Sequence, residues 1–328
     1  MFKKIMKRTL LVITPIDHIE NFSKKLKNNF NIIYFKNANQ QQILKYANKA
    51  VYIFTNPNMS KIFFSSKLIK KFKILKCICT ASTGTNHIDL NFAREKNINV
   101  ISLRNKKNII KKISSTAEHA LALTLASIRN IFLSATDVRN GHWKYLPFCG
   151  KQLNHLTIGV IGYGRLGKIF ANLCKGIFKN ILVYEKNFKI KDSNQRFQCS
   201  LEKLLRNSDI ISIHIHADSS NDNFLDKKKL DKVKKDVLIV NTSRGEVVNE
   251  IDMLNFLNKN NHAKYATDVL KNEITNKKEN LILKYFKKNQ SQILITPHIG
   301  GMTREAQYIA YNAALNELII LDKNLTND

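Results

Sequence analysis

No apolar run in this sequence approaches the roughly eighteen residues that a bilayer-spanning helix requires, so no membrane-spanning segment is expected. Cysteine is sparse and badly placed for cross-linking. Cys77, Cys79, Cys149, Cys174 and Cys199 are odd in number and contain no C-x-x-C pair, which argues against a disulfide framework or a structural zinc site. They are read as reduced, mostly buried thiols of a cytosolic protein. Arginine is scarce as well: only 10 of the 54 basic residues, set against 25 acidic ones for a net charge of +29. A charge of that size is the footprint of a nucleic-acid or anionic-surface binder. Nucleic-acid readers, however, rely on arginine for bidentate contacts. Here lysines are spread along the whole chain among abundant Asn and Ile, which is the residue usage of AT-rich codons. A nucleic-acid partner is therefore not expected, and the positive potential is assigned to drawing in a small anion. Internal repeats and low-complexity linkers are also missing.

What is present is a normal core former. The 44% hydrophobic fraction suits a globular protein, and 328 residues suit two domains. The basic start, Met1 to Arg8, precedes Thr9-Leu10-Leu11-Val12-Ile13, but Pro15-Ile16-Asp17 is no small-residue cleavage site, so a first β-strand is the reading. β-Branched runs recur at Leu10–Ile13, Ile32–Phe35, Val51–Phe54, Leu75–Cys79 and Asn99–Ile101. A second series follows at Leu156–Ile161, Ile181–Tyr184, Ile210–Ile213, Val237–Val240, Ala263–Ala266 and Ile293–Ile295. Continuous apolar strands separated by stretches of helical length predict an α/β fold with parallel sheets covered on both faces.

Between the two series, Ser115-Thr116-Ala117-Glu118 has the spacing of a capping box. The Ala- and Leu-rich stretch from His119 to Arg139 contains no Gly or Pro and predicts one long helix ending by Gly141. A loop with Trp143 and Pro147 follows, and Thr303 to Leu321 is again helical.

Gly162-Tyr163-Gly164-Arg165-Leu166-Gly167 follows the strand Leu156–Ile161 and precedes a helix. In that context Gly162 makes a tight turn and Gly164 lets the backbone approach a diphosphate. Gly167 permits close helix–strand packing, with the helix N-terminus facing the anion. Glu185 ends the next strand, eighteen residues beyond Gly167, where a carboxylate accepts ribose hydroxyls and repels a 2′-phosphate. This selects NAD as cofactor, although Lys186, Lys189 and Lys191 nearby offer a grip on the phosphate of NADP.

Three more segments leave predicted strand ends: Asn241-Thr242-Ser243-Arg244-Gly245, Thr267-Asp268 through Glu273, and Thr296-Pro297-His298-Ile299-Gly300-Gly301. They bring one cation, one carboxylate and one imidazole to the edge where α/β sheets bind ligands. Oxidation of a 2-hydroxy acid needs these groups: arginine to hold the carboxylate, histidine to take the hydroxyl proton, and a carboxylate to orient the imidazole. His214 and His216 end another strand and suggest a metal pair, but no third ligand is apparent, so they are expected only to line the cofactor cleft and no metal is expected. His87 and His142 are read as structural or surface groups.

With these motifs in this order, from about Leu75 to the C-terminus, the sequence resembles the D-isomer-specific 2-hydroxyacid dehydrogenases, and among them most of all the 3-phosphoglycerate dehydrogenases. The stretch Thr83-Gly84-Thr85-Asn86-His87-Ile88-Asp89 is similar to that family's substrate-side loop. The resemblance implies that Arg244 anchors substrate, that His298 is the acid/base and that Glu273 is its partner. It further implies cofactor contacts from Gly162, Gly164, Arg165, Leu166, Gly167, Glu185, Thr242, Ser243, Asp268, Gly300 and Gly301, and a substrate carboxylate held around Ser82, Thr83 and Gly84. It implies a Rossmann-type doubly wound NAD-binding domain over 115–299, a discontinuous flavodoxin-like α/β substrate domain from 1–114 and 300–328, and a homodimer. Thr55-Asn56-Pro57-Asn58-Met59-Ser60-Lys61 occupies the place of the family's phosphate-binding arginines and has none, leaving Lys61 as the candidate. Glyoxylate, hydroxypyruvate or a sugar acid therefore stays open as the substrate. A non-enzymatic, NAD(H)-sensing corepressor-like protein stays open as an alternative, since fold alone does not decide activity.

Overall fold

The computed structural model describes residues 7–57, 62–191, 197–217, 220–274 and 276–327. The chain divides into two compact units: Met1–Ile113 with Met302–Asp328, and Ser114–Gly301.

In the first unit, β1 (Thr9–Val12), β2 (Asn31–Tyr34), β3 (Tyr52–Thr55), β4 (Cys77–Thr80) and β5 (Asn99–Ile101) form one sheet. All pairings are parallel, and the order β2-β1-β3-β4-β5 is that of a flavodoxin-like sheet. Successive side chains alternate between two covered faces, which is why the strands read as unbroken apolar runs. Leu10, Val12, Tyr52 and Phe54 face Phe22, Tyr311 and Leu315, while Leu11, Ile13, Ile53 and Ile78 face Ile43, Leu68 and Phe92. The terminal helix Arg304–Asn327 is tied to this sheet by Arg8, which donates to the Asp322 carboxylate at 2.8 Å and to the Leu325 carbonyl at 2.7 Å. Tyr52 donates to the same carboxylate oxygen at 2.7 Å.

The second unit carries β6 (Thr157–Ile161), β7 (Asn180–Tyr184), β8 (Ile210–Ile213), β9 (Leu238–Asn241), β10 (Lys264–Thr267) and β11 (Ile293–Ile295). They pair in parallel in the order β11-β10-β9-β8-β6-β7. Gln198 adds a parallel bridge to Val183 of β7, so the sheet continues by one short element beyond β7. Counted from β6, the sheet begins 3-2-1-4, the reversal of a doubly wound dinucleotide-binding fold. The chain changes direction across the sheet at β6, whose carboxyl end meets the glycine-rich loop. One face packs Ile158, Val160 and Val240 against Ala117, Ala120 and Phe170, and the other packs Ile211, Ile213 and Ile239 against Leu204, Met253 and Leu257.

Two local expectations fail. The single helix expected from His119 to Arg139 is two helices, Ser115–Ile128 and Ile131–Arg139, meeting at 61°. Asn130 takes the left-handed conformation at the break (φ 52°). Lys264 of β10 holds it there, donating to the Ser127 carbonyl at 2.9 Å and to the Asn130 side chain. An ammonium at a helix C-terminus satisfies carbonyls that have no helical donor and meets the negative end of the dipole. The Ser115–Glu118 capping box also does not form. Ser114 precedes the first turn, and its hydroxyl donates to the Glu118 carboxylate instead of capping a backbone N–H. Among the described residues no single helix is long and apolar enough to cross a membrane.

Candidate active site

Four loops leave the carboxyl ends of β6, β9, β10 and β11 on one edge of the second unit's sheet. In the first, Gly162 has φ 91° and donates its N–H to the Tyr184 carbonyl at 2.8 Å. A Cβ on Gly167 would fall 1.9 Å from the Gly162 carbonyl oxygen, so only glycine lets the helix Arg165–Leu173 start this close to the strand. A Cβ on Gly164, the residue before that helix, would meet nothing within 4 Å. Crowding at Gly162 and Gly167 with open space at Gly164 is the form of a cradle for a diphosphate at a helix N-terminus. Glu185 is locked to this cradle: its two oxygens accept from the N–H groups of Tyr163 at 2.8 Å and Asn187 at 2.9 Å. Each oxygen keeps a lone pair for a ribose hydroxyl. Arg165 is half-buried, and burial lowers its pKa. Leu166 packs against the core behind the loop.

The β9 loop is clipped by the buried Asn241. Its carboxamide donates to the Arg244 carbonyl at 2.9 Å and accepts from the Ser243 N–H at 3.0 Å and hydroxyl at 2.8 Å. The half-buried Arg244 bends back to donate to the Ser243 carbonyl at 2.7 Å. Thr242 is buried, and its hydroxyl oxygen has no hydrogen-bond partner among the described residues. An orphaned polar atom of this kind after β9, at the carboxyl end of the sheet where such folds bind ligands, calls for a ligand group. Together the glycine loop, Glu185 and Thr242 fit a dinucleotide.

His298 Nδ1 hydrogen-bonds the Glu273 carboxylate, and both side chains are largely shielded from solvent. An Nδ1–H donated to a carboxylate leaves Nε2 as the acceptor nitrogen of the neutral ring. Glu273 Oε2 also accepts from the Leu270 N–H at 3.3 Å, which closes a turn around it. His298 has φ 57°, a left-handed conformation uncommon outside glycine. Asp268 imposes it. Its carboxylate accepts from the N–H groups of Ile299 at 2.8 Å and Gly300 at 2.7 Å and from the Thr296 hydroxyl at 2.6 Å. Burial pushes the Asp268 pKa up, but His119, Thr296 and the two N–H groups outweigh it and bring the carboxyl below its ordinary range. Asp268, expected as a cofactor contact, turns both oxygens to protein donors, with its side chain only 1% exposed.

Sequence reasoning missed His119, which donates toward the Thr296 hydroxyl at 2.9 Å, and missed Glu250, which accepts from the Lys271 N–H at 3.2 Å and from Asn280 at 2.6 Å. Both brace the loops that carry Glu273 and His298. Their partners lie too far along the chain for any spacing to reveal them. His214 has its ring against Phe170 at 4.8 Å and its Nε2 on the Ser212 hydroxyl at 2.9 Å, and burial pushes its pKa down to about 3. Its carbonyl would lie 2.8 Å from a Cβ on Gly162, so it backs the glycine loop. Among the described residues no group of three metal-binding side chains occurs. His142 is a surface residue bonded to Asp137 at 2.9 Å, and His87 is wholly buried, with burial lowering its pKa to about 4.

In the first unit, Ser82, Thr83 and Gly84 form the bend after β4. Thr80 donates to the Ser82 hydroxyl at 2.9 Å, and Ser82 donates on to the Gly84 carbonyl at 2.7 Å. Gly300 and Gly301 close the second unit rather than opening the last segment of the first. Lys61 lies outside the described residues.

Residues 121–300 match the D-isomer specific 2-hydroxyacid dehydrogenase, NAD binding domain. The chain belongs to that family. The matched segment is its NAD binding domain and contains the glycine loop, Glu185, Arg244, Glu273 and His298. The chain is 32% identical over 265 residues to D-3-phosphoglycerate dehydrogenase of Archaeoglobus fulgidus, covering 80% of this chain and 47% of that protein. It is 30% identical over 250 residues to glyoxylate reductase of Thermococcus litoralis, covering 74% of this chain and 72% of that one. The chain thus spans about half the length of the curated phosphoglycerate dehydrogenases it matches first. The apo-structure of D-lactate dehydrogenase from Escherichia coli superposes with a TM-score of 0.80 at 22% identity over 96% of this chain and 97% of that one, a likeness of fold.

Proposed function

We propose that this protein is an NAD-dependent oxidoreductase that interconverts a small D-2-hydroxy acid and its 2-keto acid, with 3-phosphoglycerate and 3-phosphohydroxypyruvate as the pair. The observation that carries the reading is the His298–Glu273 hydrogen bond on the same sheet edge as Arg244 and the glycine loop. Arg244 pairs with the substrate carboxylate, a bidentate contact that its planar guanidinium suits. His298 Nε2 takes the hydroxyl proton in oxidation and returns it in reduction. Glu273 fixes the ring's tautomer and stabilises the imidazolium. The nicotinamide, when bound, supplies the hydride acceptor or donor. Ser82, Thr83 and Gly84 are assigned to the substrate carboxylate, and Lys61 to its phosphate. The protein acts in the cytoplasm as a homodimer, with no membrane or nucleic-acid partner. In support of the dimer, Trp143, Tyr145 and Leu146 present large exposed side chains after the helix Ile131–Arg139.

A second reading keeps the mechanism and changes the substrate to glyoxylate, hydroxypyruvate or a sugar acid. It is favoured by the absence of arginine between Thr55 and Lys61 and by the likeness to a glyoxylate reductase. Oxidation of NADH, followed at 340 nm near pH 7 with phosphorylated and unphosphorylated 2-keto acids, separates the two. Preference for phosphohydroxypyruvate is the expected result. Turnover of unphosphorylated acids alone replaces the substrate, and tight NADH binding without any turnover replaces the enzyme with an NAD(H) sensor.

A further inference from the structure

Helix Ser115–Ile128 presents His119 to the loop that follows β11. Its Nε2 lies 2.9 Å from Thr296 Oγ1 and 3.4 Å from Asp268 Oδ1. The Thr296 hydroxyl donates its single proton to Asp268 Oδ1 at 2.6 Å, so its oxygen can only accept from the imidazole. His119 must therefore carry its proton on Nε2, and the relay runs His119 Nε2–H to Thr296 Oγ–H to Asp268. The same carboxylate takes the N–H groups of Ile299 and Gly300, immediately after His298. Thr296, two residues before His298, and Ile299, one after it, are thus bonded to a single oxygen, Asp268 Oδ1. His298 is held between them with φ 57°.

We infer that His119 is a positioning residue for His298, acting through Thr296 and Asp268. The donor from His119 fixes the rotamer of the Thr296 hydroxyl. That hydroxyl in turn keeps the Asp268 carboxylate turned toward the two N–H groups that enforce the left-handed turn. Without the donor the turn relaxes toward ordinary backbone angles, and the imidazole leaves its line to Glu273. Proximity makes such a displacement costly, since catalytic geometry tolerates about an ångström at most. The catalytic part of the inference rests on the proposed dehydrogenase activity; the backbone part does not.

Three variants test it in the full-length protein: His119→Phe keeps the ring's bulk without a donor, His119→Gln keeps a donor near Nε2, and Thr296→Val removes the relay hydroxyl. Amide hydrogen exchange at Ile299 and Gly300 is read without ligand, where His119→Phe and Thr296→Val are each expected to speed exchange about tenfold. His119→Gln stays within about twofold of the parent, and the double variant His119→Phe/Thr296→Val is no worse than either single change. With the 2-keto acid that the parent reduces, His119→Phe lowers kcat about tenfold while the Kd for NADH is unchanged. Unaltered exchange in His119→Phe overturns the inference, as does equal impairment by Phe and Gln, which marks a packing role. A parent that turns over no 2-keto acid defeats the proposed activity alone, and the exchange result still decides the relay. If His119→Phe does not fold, Thr296→Val carries the same test through the same two amides.

Discussion

The α-carbon of Gly245 faces the peptide between Leu270 and Lys271 so closely that a Cβ there would lie 2.1 Å from both the Leu270 carbonyl carbon and the Lys271 nitrogen. This contact joins the loop that ends in Arg244 to the turn that carries Glu273. Neither neighbouring atom belongs to a flexible side chain, so one of the two backbones must move if glycine is replaced. Gly245→Ala is expected to cost about 1–3 kcal/mol or more, as overpacking in a filled interior does. Urea unfolding measures it, and a midpoint equal to the parent's would mean that the loops are not held together here.

The His298–Glu273 pair predicts an ordered series of losses in turnover. His298→Gln keeps a polar side chain without a titrating ring and should lower kcat by about 10²–10⁴, the usual share of a general acid–base. Glu273→Gln leaves the ring in place but removes the charge that orients it, so its loss should fall between about tenfold and the His298 figure. Arg244→Lys should raise KM strongly, because an ammonium cannot reproduce a bidentate fork. NADH binding, followed by its fluorescence, should survive all three. Parent-like turnover in His298→Gln would remove the imidazole from the mechanism.

Legibility in the sequence divides along the range of the forces involved. The eleven strands among the described residues are readable because parallel strands covered on both faces leave short, nearly unbroken apolar runs in the sequence. Gly162, Gly167 and Glu185 are readable because a strand, a turn and a helix constrain one short segment. The break at Asn130 is not readable: the Ala- and Leu-rich composition favours a continuous helix, and the ammonium that stabilises the break comes from Lys264, 134 residues away. His119 is hidden for the same reason, since its partner Thr296 is 177 residues distant. Asp268 is readable as a site residue but not in its orientation, which depends on N–H groups that a left-handed His298 alone presents.

Trp143 is 86% exposed, Tyr145 80% and Leu146 75%, a concentration of apolar surface that isolated domains seldom leave in water. Covered by a second copy, it would give a self-complementary interface of the kind that closes a two-fold dimer. Sedimentation should show a dimer for the parent, and Trp143→Asp/Leu146→Asp should give a folded monomer. Trp143 is also the single tryptophan, so its emission should shift to longer wavelength as the dimer is diluted apart. A monomeric parent with water-exposed emission at every concentration would refute the assembly.

Asp268 sets an acid limit on the second unit. Its folded pKa lies below the ordinary 3.8 because the carboxylate is stabilised by His119, Thr296 and two N–H groups against the cost of burial. A depressed carboxyl pKa contributes stability that is fully present above the unfolded value and is lost as pH falls through the folded one. The difference in unfolding free energy between the parent and Asp268→Asn should therefore be constant from neutrality down to pH 3.8 and close only below it. At neutral pH the variant should be less stable by about 1.5–3 kcal/mol, the worth of a hydrogen bond to a charged group, with Asn keeping one acceptor. Chemical denaturation at a series of pH values measures the difference. If it already shrinks between pH 7 and 5, the carboxylate is not the stabilised form, and Asp268 holds the His298 turn by shape rather than by charge.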